Sequence, residues 1–115
     1  MDRPIKLYPN ESVSRIIAFI PPQHHHLRLV IELPDQVIVL HEATVAAIVR
    51  AYISIATHPT RRAVEMVQQN VPKDRRKLGY AKWQLVEVNS SEDEIVARGC
   101  EILQRASIVS RTQAA

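Results

Sequence analysis

The chain has 115 residues, with 15 basic and 12 acidic side chains and a formal net charge of +3. Its apolar fraction of 46% and charged fraction of 23% are those of a soluble globular protein, and they exclude a disordered tail, a collagen and a membrane protein. The single cysteine excludes an internal disulfide framework. Because no N-terminal apolar run resembles a signal peptide, we predict a cytoplasmic protein. We predict one domain over 1–115, with frayed ends at 1–10 and 110–115.

The first third of the chain shows the alternation of apolar and polar residues that is typical of β-strands. We predict strands over 12–20, 27–33 and 36–41. The Pro34-Asp35 pair suits a two-residue turn between the second and third of these strands, because proline pre-sets φ for the turn. The register that follows from this turn places Ile31 opposite Ile38, so that the apolar residues of the hairpin share one face.

The rest of the chain combines helical periodicity with one more strand. Apolar residues at three- and four-residue spacing predict helices over 42–57, 60–70 and 92–109. Alternation returns over 81–88, and Ser91 with Glu94 forms a capping box that sets the start of the last helix. This order of elements predicts an α+β fold, in which a mainly antiparallel sheet of three to four short strands packs against three helices.

The positive charge is concentrated in the segment 61–82. Seven basic and two acidic residues give this segment a net charge of +5, against 0 for 1–60 and −2 for 83–115. Within it, residues 73–80 form a predicted loop, which we call the basic loop. Its four cations are Lys73, Arg75, Arg76 and Lys77.

The basic loop and its neighbours favour a nucleic-acid-binding function. Basic side chains neutralise phosphates, and an aromatic ring beside them offers a stacking surface to the bases of RNA and single strands. We therefore predict a small non-enzymatic protein that binds RNA or single-stranded nucleic acid. The loop cations contact phosphates, Tyr80 stacks, and Arg61 with Arg62 extends the patch. The alternative interpretation is a solvated loop that keeps the protein soluble, with Trp83 packed in the core.

The other face of the predicted hairpin favours a different function. Val30, Val37 and Val39 lie on the face that the helices do not cover, and we call this surface the valine face. A partly apolar uncovered sheet face is a candidate contact surface. It predicts a homodimer, or docking to another protein, in an interaction or assembly module with no nucleic-acid role.

Two further clusters contain the residue types of binding sites. Thr60 and Arg61 at the predicted start of the second helix suit a phosphate. If the protein were an enzyme, its substrate would be a phosphorylated small molecule bound by these two residues. Simple capping by Thr60 is the alternative.

A histidine cluster flanks the predicted hairpin: His24, His25, His26 and His41. Imidazoles bind Zn²⁺, but no spaced ligand set accompanies them, so we predict no metal and no other cofactor. No Gly-x-Ser-x-Gly motif occurs, and we predict no enzymatic activity.

Overall fold

The computed structural model describes residues 3–111, so the predicted fraying at 1–2 and 112–115 lies outside the described residues. Over 3–111 the chain is α+β, with two α-helices and mainly antiparallel strand pairs. The predicted class is confirmed, with one helix fewer than expected. The described chain divides into two compact units: unit 1 runs up to Glu42 and resumes at Arg98, and unit 2 is Ala43–Ala97.

The elements follow the predicted order over most of the chain. The strands of unit 1 are β1 (Lys6–Leu7), β2 (Arg15–Phe19), β3 (Arg28–Glu32), β4 (Val37–His41) and β7 (Ser107–Ile108). The strands of unit 2 are β5 (Met66–Asn70) and β6 (Trp83–Glu87). The helices are α1 (Glu42–Ala56) and α2 (Glu92–Gln104), and short 3-10 turns lie at Asn10–Ser12 and Lys73–Arg75. In the described part of the chain, neither helix is long and apolar enough to cross a membrane.

Three strands of unit 1, β2, β3 and β4, form an antiparallel sheet. Ile31 lies opposite Ile38, as the turn chemistry predicts, and the Leu33 N–H donates a hydrogen bond of 2.9 Å to the Gln36 carbonyl. The register of this hairpin is therefore confirmed. The expectation that 81–88 adds a fourth strand to the same sheet is wrong, because β6 pairs with β5.

The turn between β3 and β4 is tied to the N-terminal segment by Asp35. Its carboxylate accepts hydrogen bonds from Lys6 Nζ at 2.6 Å and from the Tyr8 hydroxyl at 3.0 Å. The Lys6 ammonium holds the pKa of Asp35 below its ordinary value. The local turn signal and a long-range ion pair thus stabilise the same conformation.

Acidification is expected to weaken this tie. Because the pKa of Asp35 is lowered in the folded chain, its contribution to stability is present above the ordinary pKa of about 4 and is lost as the pH falls through the lowered folded value. Thermal unfolding of the wild type and Asp35→Asn between neutral and acidic pH measures this contribution. We expect the two midpoints to converge at low pH, and a constant difference between them would contradict the linkage.

The predicted helix over 60–70 is wrong, since its second half forms β5. The sequence of β5, Met-Val-Gln-Gln-Asn, shows no apolar–polar alternation, and it is pairing with β6 that selects the strand. Before β5, the Arg61 guanidinium pairs with Glu87, and the Arg62 N–H donates a hydrogen bond of 2.7 Å to Glu92 Oε1. These contacts with residues distant in sequence accompany a non-helical segment at 61–65.

The capping box of α2 is confirmed. The Glu94 N–H donates to Ser91 Oγ at 3.2 Å, and the Ser91 N–H donates to Glu94 Oε1 at 3.1 Å. The predicted end at Val109 is wrong, because the helix ends at Gln104. The following residues form β7, which pairs in parallel with β1, and the Ser107 N–H donates to the Ile5 carbonyl at 2.9 Å.

Removal of the cap hydroxyl by Ser91→Ala is expected to destabilise the folded chain by about 1 kcal/mol. The Glu94 N–H then loses its acceptor in the first turn of α2. Chemical denaturation measures the change, and Ser90→Ala is the matched control because it leaves the cap hydroxyl in place. Equal effects of the two substitutions would show that the capping bond does not contribute.

Candidate nucleic-acid interface

The basic loop lies at the tip of a two-stranded antiparallel ribbon in unit 2. This ribbon comprises β5, β6 and the connecting residues 71–82. Past the last strand pair, the Val71 N–H donates a hydrogen bond of 2.8 Å to the Lys82 carbonyl, so the ladder continues to the base of the loop. In the middle of β6, the Leu85 carbonyl accepts a hydrogen bond of 3.2 Å from Nη2 of Arg50 in α1. The loop is therefore held at a defined place by the ladder below it.

Most cations of the basic loop are exposed. Lys73 and Arg75 belong to the 3-10 turn, which the Arg75 N–H closes with a 3.0 Å hydrogen bond to the Pro72 carbonyl. Lys77 is exposed, and Lys82 adds a further exposed cation where the loop returns to β6. Like charges this close together repel one another, which slightly opposes folding. These exposed cations therefore do not contribute to the stability of the core.

Arg76 differs from the other loop cations. Its side chain is half-buried, and its Nε is buried without a hydrogen-bond partner among the described residues. A buried N–H without an acceptor costs free energy. Substitution of Arg76 would therefore change folding as well as charge, and it is the least suitable loop cation for a binding test.

Two aromatic rings accompany the exposed cations. Tyr80 is 53% exposed and Trp83 is 55% exposed. The Lys77 Nζ lies 5.8 Å from the centre of the Tyr80 ring, within cation–π range. The alternative that Trp83 packs in the core is wrong. Exposed rings and exposed cations on the same ribbon provide the two contacts that a single strand needs, stacking and phosphate neutralisation.

The ribbon also carries a polar group that the sequence analysis missed. Gln68, Gln69 and Asn70 end β5 with exposed side chains, and Asn70 lies directly opposite Trp83. Carboxamides donate and accept hydrogen bonds, and they match the edges of bases. The Gln-Gln-Asn run was visible in the sequence, but its assignment to a helix hid its place beside the loop.

The predicted anion site at Thr60 is wrong, because no helix begins there. The Arg61 guanidinium pairs with Glu87, and the Arg62 backbone is bound by Glu92. Glu87 therefore offsets the charge of Arg61, whereas the Arg62 side chain is exposed. The role of both arginines in extending the patch stays a prediction.

His24, His25, His26 and His41 are exposed, and they lie at the end of the β3–β4 hairpin that is opposite its turn. His26 Nδ1 lies 3.5 Å from Glu42 Oε2, and the Leu27 N–H donates to Glu42 Oε1 at 2.7 Å. This backbone hydrogen bond, with His26, lowers the pKa of the Glu42 carboxyl. Across residues 3–111, no group of three or more His, Cys, Asp or Glu side chains is arranged to hold a metal ion.

The valine face of unit 1 is open to solvent in the structure. Val37 is 61% exposed and Val39 is 57% exposed, whereas Val30, on the central strand β3, is half-buried. At one corner of this face, Arg15 binds Glu32 through two hydrogen bonds of 2.6 and 3.1 Å. This guanidinium lowers the pKa of the Glu32 carboxyl.

Comparison with protein family models, curated proteins and solved structures found no match to this chain.

Proposed function

We propose that the protein is a non-enzymatic cytoplasmic binder of RNA or single-stranded nucleic acid. One observation carries this proposal: exposed cations and two exposed aromatic rings share the tip of one ribbon. The cations Lys73, Arg75 and Lys77 contact successive phosphates. The rings of Tyr80 and Trp83 stack on unpaired bases, which a regular duplex does not present.

Sequence selectivity in this mode is low. Phosphate contacts position a nucleic acid but carry no sequence information. The carboxamides of Gln69 and Asn70, the last two residues of β5, match base edges. We therefore expect binding of mixed sequences, with a modest preference set by these two side chains.

The test uses the one tryptophan of the chain. Because Trp83 is the only tryptophan, its fluorescence reports directly on the ribbon. Titration with mixed-sequence RNA, single-stranded DNA and duplex DNA at about 50 and 200 mM salt gives affinity and salt slope together. We expect quenching by single strands that weakens at the higher salt concentration. Absence of binding at the lower salt concentration would contradict the proposal, and binding without a change in Trp83 emission would place the site elsewhere.

We infer a second candidate function, that of a self-associating subunit, from the sheet of unit 1. None of the five residues of β3, the central strand of the sheet, is fully buried, and Val37 and Val39 on β4 are exposed. Large exposed apolar patches on a soluble protein mark contact surfaces. A second copy of the chain binds this sheet. Light scattering over a dilution series tests the inference, and a monomer mass at all concentrations would contradict it.

A further inference from the structure

The open edge of β2 is an unprotected apolar strand edge. Within residues 3–111 this strand pairs only with β3, and all five of its residues are exposed. Ile16 is 61% exposed and Phe19 is 43% exposed. Natural edge strands are normally protected by lysine or proline. β2 contains neither, and its one charge, on Arg15, is paired with Glu32.

The backbone of β2 offers a defined set of hydrogen-bonding groups to a further strand. In an antiparallel sheet, alternate residues of the central strand bond to opposite neighbours. Leu33, just after β3, bonds to Gln36, just before β4, so the odd-numbered residues of β3 bond to β4, and Val30 and the other even-numbered residues bond to β2. Ile17, the partner of Val30, therefore turns its backbone toward β3. The N–H and C=O groups of Ile16 and Ala18 face the open edge.

The sequence of β2 is complementary to itself in one antiparallel register. With Ile17 on a two-fold axis, Ile16 of each copy pairs with Ala18 of the other, and the two pairs exchange four backbone hydrogen bonds. Arg15 then lies opposite Phe19, so no like charges meet and a guanidinium meets an aromatic ring. On the other face, the large Ile16 side chain lies beside the small Ala18. Parallel pairing in register would instead place Arg15 beside its own copy.

We propose that a second copy of this chain binds the open edge of β2 as an antiparallel strand, with Ile17 on the two-fold axis. The proposal rests on the second candidate function and assigns its self-association to one edge. The two sheets then form one six-stranded sheet. The valine faces of both copies lie on the same side of it, because Ile17, Val30 and Val39 share one face in the observed register.

A cross-linking experiment tests the axis directly. Facing residues of a pair without mutual hydrogen bonds have Cα atoms about 4.5 Å apart, which a disulfide spans. Ile17→Cys in the full chain, with the exposed Cys100 replaced by Ser, is expected to form a covalent dimer under mild oxidation. Val39→Cys in the same background is the matched control, because Val39 is also exposed on this face but lies away from the proposed axis.

A second variant tests the hydrogen bonds without a new thiol. Ile16→Pro removes an N–H from the open edge and leaves the ladder to β3 intact, whereas Val39→Lys places a charge on the valine face. We expect Ile16→Pro to weaken dimerisation on the order of 30-fold, since each dimer loses two backbone hydrogen bonds. Val39→Lys is expected to leave the dimer intact.

Four outcomes decide the proposal. Cross-linking of Ile17→Cys but not of Val39→Cys, with weakened association of Ile16→Pro, supports the edge pairing. A wild-type dimer that survives Ile16→Pro and shows no cross-link through Ile17→Cys overturns it while self-association stands. Dissociation by Val39→Lys alone would assign the contact to the valine face. A monomeric wild type would overturn self-association and edge pairing together.

Discussion

Replacement of Lys73, Arg75 and Lys77 with alanine is expected to reduce nucleic-acid affinity roughly 100-fold or more at about 0.1 M salt. Each exposed cation that contacts a phosphate releases a counterion, so the slope of log K against log salt should fall by roughly 2–3. The loss should be similar for unrelated sequences, because phosphates are the same in all of them. Titration of the wild type and the variant at several salt concentrations measures both quantities.

A charge-preserving variant is the matched control for this experiment. Lys73→Arg, Arg75→Lys and Lys77→Arg together keep the three charges, so affinity and slope should stay near the wild-type values. Stability should change little in either variant, because the three side chains are exposed. An unchanged salt slope in the alanine variant would show that the basic loop is not the phosphate-binding surface.

Substitution of Ser12 with alanine is expected to destabilise unit 1 by about 1–3 kcal/mol. The Ser12 side chain is 2% exposed, and its hydroxyl donates a 2.7 Å hydrogen bond to the Val109 carbonyl. Without the hydroxyl, that acceptor stays buried and loses its bond. Denaturant unfolding of the wild type and the variant gives the free-energy difference.

Ser14→Ala separates burial from hydrogen bonding in that measurement. The Ser14 hydroxyl also donates to a backbone carbonyl, that of Glu32 at 3.0 Å, but at an exposed position where water replaces the bond. We expect its cost to be clearly smaller than that of Ser12→Ala. Equal costs would mean that the burial of Ser12 does not decide the energetics.

Local chemistry explains which elements of the fold were predictable. The β3–β4 hairpin is specified by the Pro34-Asp35 turn and by apolar–polar alternation on both sides of it. Its register could therefore be predicted residue by residue. The start of α2 is specified by the capping box, which uses residues three positions apart. In both cases, the sequence contains the interacting groups within a few residues of one another.

The errors arise where distant residues decide the structure. The apolar spacing of Ala63, Val64 and Val67 fits a helix, but β5 forms because it pairs with β6 across a long loop. The end of α2 is likewise set by the pairing of β7 with β1 near the other end of the chain. Neither partner can be found from local periodicity.

The candidate interface divides in the same way. Charge is visible in any sequence, so the basic loop and its cations were predictable, and the structure leaves Lys73, Arg75 and Lys77 exposed. Exposure of an aromatic ring depends on what packs against it, and the sequence left Trp83 undecided between the core and the surface. The burial of Arg76 Nε likewise comes from tertiary packing.

The two units differ in when their sequence becomes available during synthesis. Unit 2 is continuous, whereas unit 1 joins segments from both ends of the described chain, and the bond from Ser12 to Val109 spans 97 residues. A growing chain can therefore form the ribbon before β7, the strand that pairs with β1, has been synthesised. We expect unit 2 to gain protease resistance first on the ribosome, and long-range closure of unit 1 to set the overall folding rate.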